Sequence, residues 1–85
     1  MSDIAKPTIG RIVIASIKDA HGNPIKRPAI ITRTWSTPTH ESMSIQATVF
    51  PDSVNDGLGT TVGFSSMPYH PTGELENSWY WPPKV

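Results

Sequence analysis

Eighty-five residues make one small domain with a modest core, and with no cysteine in the chain neither a disulfide nor a thiolate-bound metal can brace it. Seven basic and seven acidic residues give zero formal charge, which argues against a general duplex-DNA binder with its basic stripe and equally against an acidic decoy that mimics DNA. No apolar run approaches the roughly 20 residues of a membrane span, and Met1–Lys6, polar and acidic, does not have the layout of a signal peptide.

In chain order, residues 1–7 read as a loose arm. Thr8–Ile17 is strand-like, with Ile12 and Ile14 on one face and Val13, Ala15 and Ile17 on the other. Residues 19–24, Asp-Ala-His-Gly-Asn-Pro, form a turn by composition. The strongest strand signal follows, from Arg27 to Trp35. Strict alternation over Ala29–Trp35 puts Ile30, Thr32 and Thr34 on one side and Ala29, Ile31, Arg33 and Trp35 on the other. Neither side is plainly polar, so the Ile31/Arg33/Trp35 side calls for a cover: the C-terminal tail, a second copy, or a ligand.

Ser36–Ser42 is a polar loop, and Met43–Phe50 alternates as a third strand. Pro51–Gly59 is a second turn cluster in which Asp56-Gly57 is the clearest hairpin signal. Thr60–Met67 is a fourth strand weakened by Gly63. Pro68–Asn77 is a loop, and Ser78–Trp81 is a last short strand within an aromatic, proline-closed tail, residues 78–85. No segment has a capped helical period. The pattern predicts an all-β fold, a small SH3-like barrel or strongly curled antiparallel sheet of four to five strands.

Candidate chemistry is sparse. His21, His40 and His70 all fall in loops. A His40/Asp52/Ser53 grouping has no nucleophile elbow around it, and His40-Glu41, or His21 with Asp19, lacks metal-ligand spacing. No cofactor is implied. The aromatic and arginine set is more informative: Trp35, Tyr69, Trp79, Tyr80 and Trp81 with Arg11, Arg27 and Arg33. In an extended Trp79-Tyr80-Trp81 the two indoles point the same way. One reading makes these rings the closure of an open barrel end. The other makes them a stacking surface, because aromatic faces take nucleobases and arginine takes phosphate. Burying one indole of about 200 Å² is worth at most roughly 5 kcal/mol. Three such residues rival the whole stability of a domain, about 5–15 kcal/mol, so at least one of them is structural.

Two resemblances attach to these residues. Gly10-Arg-Ile-Val13, a glycine-bearing turn and Arg27-Pro-Ala-Ile-Ile31 resemble the opening of PemK-like (MazF-type) ribonuclease toxins, which are SH3-like barrels. That resemblance implies a catalytic role for Arg27. The toxins carry an acidic residue five positions before that arginine, where this chain has Gly22, and the reading taken is therefore a binding protein rather than an enzyme. The longer pattern Gly10–Val13, Arg27–Ile30, Trp35, Val49-Phe50, Asp52, Asn55–Gly57, Ser66, Pro68-Tyr69 and Trp79–Pro82 resembles a family of small tailed-phage proteins without an assigned activity.

The phage resemblance implies an accessory protein in the cytoplasm of an infected bacterium. The expectation is a non-enzymatic homo-oligomer with Arg27, Arg33, Trp35, Tyr69, Trp79 and Trp81 as ligand-binding residues. The ligand class is a small anion of the nucleotide type, with sequestration of a host immune signal as the sharpest version. A virion decoration protein is the alternative, and a PemK-like ribonuclease the second.

Overall fold

The computed structural model describes residues 6–37, 39 and 42–83. Five strands, β1 (Ile12–Lys18), β2 (Pro24–Thr34), β3 (Ile45–Val49), β4 (Val62–Met67) and β5 (Ser78–Tyr80), form one antiparallel sheet in the order β4-β3-β2-β1-β5. A single helical turn, α1 (Ser53–Asp56), lies between β3 and β4. The chain is thus all-β, a curled half-barrel, as its alternating pattern predicts.

Alternation decides which side is buried. Val13, Ala15 and Ile17 of β1, Ala29 and Ile31 of β2, and Ile45, Ala47 and Val49 of β3 all point into the curl. With Met67 and Trp79 they form a core whose members are at most 2% exposed. The curl brings the residues after β4 round to β5. There the Trp79 N–H donates to the Pro68 carbonyl at 3.0 Å and the His70 N–H to the Trp79 carbonyl at 2.9 Å. The longest strand carries two prolines. Pro28 is tolerated because it faces the end of β3: its carbonyl accepts from Phe50 N–H at 2.9 Å, and no longer ladder is interrupted there.

The β1–β2 turn is organised by Asp19, whose Oδ1 accepts from the backbone N–H groups of His21 and Asn23, both at 2.9 Å. Gly22 supplies the positive φ, +84°, that the turn needs.

Three local expectations change. Residues 8–11 form a turn rather than the start of β1, with Arg11 N–H donating to the Thr8 carbonyl. Asp56-Gly57 is not a two-residue hairpin. Asp56 ends α1, and Gly57, at φ +70°, terminates the helical turn in the left-handed region. Strict alternation along β2 also fails. The register steps from Ile31↔Ala47 to Arg33↔Gln46, a β-bulge. The extra residue reverses the faces beyond it: Ala29 and Ile31 stay in the core, while Arg33 shares the outer face with Gln46 and is exposed.

Candidate functional site

Because neighbouring strands are antiparallel, the start of β1, the end of β2, the start of β3 and the ends of β4 and β5 share one end of the sheet. Five of the six expected site residues gather there: Arg33 and Trp35 after the bulge, Tyr69 after β4, and Trp79 and Trp81 on and after β5. Arg27 lies elsewhere.

Trp79 anchors this end. It is fully buried, and its indole N–H donates to the Met43 carbonyl at 2.7 Å. That bond ties β5 to the entry of β3 and leaves the ring no face for a ligand. The Tyr69 ring packs on it at 4.8 Å, tilted by 57°. Trp81, two residues on and therefore on the same side, meets it edge to face at 5.2 Å, a favoured aromatic geometry. Trp81 is half-buried, and the exposed Arg11 lies over its ring, with Cζ 5.0 Å from the centroid.

The second arginine–indole pair is separate. Arg33 Cζ sits 4.5 Å from the centroid of half-buried Trp35, but the bulge has turned both toward the outer face. Trp35 Nε1 is buried without an acceptor among the described residues. The sequence set therefore splits in two: Tyr69, Trp79 and Trp81 form one ring cluster at the mouth, joined by Arg11, and Arg33 with Trp35 forms another on the outside.

Electrostatics separate the two ends. Among the described residues the acidic ones are Asp19, Asp52, Asp56, Glu74 and Glu76, all in the turn and loops that gather away from the aromatic mouth. Arg11 and Arg33 have no carboxylate partner among the described residues. A guanidinium lying over a ring keeps its in-plane N–H fork available for a planar anion.

Arg27 is committed. Its Nε donates to Asp56 Oδ2 at 2.7 Å and its Nη2 to Asp56 Oδ1 at 2.5 Å, while Nη1 donates to the Lys26 carbonyl at 2.8 Å. Asp56 is buried, and its Oδ2 also accepts from Asp52 N–H at 2.8 Å. The guanidinium, chiefly by hydrogen bonding, holds the Asp56 carboxyl below the usual carboxylate range, and Asp56 in turn raises Arg27. No local signal joins Arg27 to Asp56, because the two lie 29 positions apart.

A groove of about 240 Å³ lies across the sheet from the mouth, lined in part by Ser16, Lys18, Pro24, Lys26, Gly73 and Leu75. Its cations are occupied: Lys26 donates to Ser16 Oγ at 2.9 Å and to the Gly73 carbonyl, and Lys18 pairs with Glu76 at 3.3 Å. The His40/Asp52/Ser53 grouping and His40-Glu41 rest on residues 40 and 41, which lie outside the described residues. Among those described, no group of three or more His, Asp or Glu could hold a metal, and no helix is long and apolar enough to cross a membrane.

No protein-family model, curated protein or solved structure matches this chain.

Proposed function

We propose that the protein is a non-enzymatic binding module that holds a small phosphate-bearing ligand of the nucleotide type at the mouth of its half-barrel. The observation that carries this reading is the Arg11–Trp81 pair: a cation with no carboxylate partner among the described residues, set on an indole that itself packs against Trp79. Arginine takes phosphate in charge-assisted pairs, and an indole offers stacking worth about 1–3 kcal/mol per base. The separation of the described carboxylates from this end supports an anion there. Zero net charge suits a compact ligand met by one or two arginines rather than a polymer tracked by many.

A ribonuclease reading loses support, because the arginine to which the toxin resemblance would give catalysis spends its fork on Asp56. In a phage accessory protein, such a pocket fits capture of a host nucleotide signal.

The test is a thermal-shift panel of mono-, di- and cyclic nucleotides at low salt. At least one phosphate-bearing member should raise Tm in a concentration-dependent way, and Arg11→Ala should remove the shift without unfolding the protein. No shift from any member, with the protein folded, would refute the reading.

A further inference from the structure

Part of the outer face of the sheet is apolar. Register places Ile12 opposite Ile30, Ile14 opposite Pro28 and Tyr80, and Ile30 opposite Thr48. Phe50 adjoins Pro28 through the Phe50 N–H to Pro28 carbonyl bond. Ile12 is 57% exposed, Phe50 40% and Ile30 36%. Ile12, Ile14, Pro28, Ile30, Thr48 and Phe50 form a contiguous patch across three strands, and it contains no charged side chain.

The chain covers the other half of this same face with its own loop. Ser16 is buried on the outer side of β1 because its Oγ donates to the Gly73 carbonyl at 2.8 Å and its carbonyl accepts from Asn77 N–H at 2.7 Å. The loop stops short of the Ile12–Ile30 pair. Beyond that pair lie Arg33 and Trp35, residue types that dominate interface hot spots.

We infer that this face is a homodimer interface, closed by the same face of a second copy packing sheet on sheet. Three features select a second copy. The patch has no charge, so facing itself costs no like-charge repulsion, and it offers nothing complementary to nucleic acid or to lipid headgroups. Ile12, Phe50 and Ile30 leave 57%, 40% and 36% of their surface exposed within it, apolar surface that a second copy would remove from water. Finally, two such faces related by a two-fold axis are self-complementary and close the assembly at two copies. The inference is independent of the ligand at the mouth.

The chain has no cysteine, so a single introduced thiol reports its own neighbourhood. Ile12→Cys should give an oxidised species of twice 9.3 kDa in high yield, and Thr61→Cys, on an exposed loop, should not. Sedimentation equilibrium should show a dimer for the natural chain and a monomer for Ile12→Lys/Ile30→Lys. Leu75→Lys, which removes an equally exposed apolar side chain outside the patch, should stay dimeric. Circular dichroism on the double variant separates loss of dimer from loss of fold. If the natural chain is a monomer at every concentration, or Ile12→Cys crosslinks no better than Thr61→Cys, the inference is overturned. A dimer unaffected by the double lysine variant also overturns it.

Discussion

Arg27 and Asp56 clamp the two halves of the sheet's far end: two parallel N–H to carboxylate bonds, 2.7 and 2.5 Å, join the middle of β2 to the helical turn that leads into β4. Asp56 N–H closes back on the Asp52 carbonyl at 2.7 Å, and Ala20 N–H in the β1–β2 turn donates to the Asp56 carbonyl at 2.9 Å. Asp56, through its carboxylate and its own backbone groups, therefore ties together three segments.

Breaking this pair from either side leaves a buried or half-buried charge unpaired. Arg27→Ala is expected to lower Tm by about 10 °C or more, and Arg27→Lys, which cannot reproduce the fork, to recover only part of it. Differential scanning calorimetry checks both. If Arg27→Ala melts with the natural chain, the clamp contributes nothing.

The same pair sets an acid limit. Arg27 depresses the Asp56 carboxyl in the folded state, so its contribution is fully present above the ordinary carboxylate pKa of about 4 and is lost as pH falls through the lower folded value. Asp19, lowered chiefly by its bond from Asn23 N–H, acts in the same direction. Tm should be flat in this respect above about pH 5 and fall below about pH 4. Asp56→Asn should be less stable near neutrality and lose part of that acid slope, the remainder belonging to Asp19. An unchanged slope in Asp56→Asn would show that the pair does not govern it.

Gly73 sits where the loop crosses the outer face. It has φ +71°, and an added Cβ would lie 2.6 Å from Tyr80 Cε1 and 3.0 Å from Ser16 Oγ. Gly73→Ala combines a left-handed backbone with overpacking and should cost about 2–4 kcal/mol. Urea denaturation at constant m-value would measure it; a cost below about 0.5 kcal/mol would mean that the loop lifts away freely.

Trp79 and Trp35 should separate cleanly. Trp79→Ala empties the core and cuts the bond to Met43, with an expected loss of about 3–5 kcal/mol. Trp35 is only half-buried on the outer face, so Trp35→Ala should cost clearly less in the monomer. Denaturation of both variants, with sedimentation to fix the state being melted, tests the order.

Strand existence and the inward sets Val13/Ala15/Ile17 and Ile45/Ala47/Val49 were legible because each strand keeps period two. So was the shared direction of Trp79 and Trp81. The bulge at Ile31–Arg33 was not. It answers to the curl of the whole sheet, and no residue in Ile-Ile-Thr-Arg marks it. Asp56-Gly57 misled because a short-range turn signal was overridden by a partner on a distant strand. Which of Trp79 and Trp81 is core depends on how far Pro68–His70 wraps round, a tertiary fact. Arg11, placed over Trp81 by the turn at residues 8–11, entered the sequence reading only as one arginine among several.

The central claim is that the Arg11–Trp81 mouth binds a phosphate-bearing ligand. Isothermal titration of the best nucleotide from the panel tests it most directly, run on the natural chain, Arg11→Ala and the fork-retaining control Leu75→Lys, at low and high salt. Binding should be saturable, weaken with salt, fall at least about tenfold in Arg11→Ala, consistent with loss of one charge-assisted pair, and persist in Leu75→Lys. Binding of equal strength in Arg11→Ala, or none in the natural chain, would contradict it.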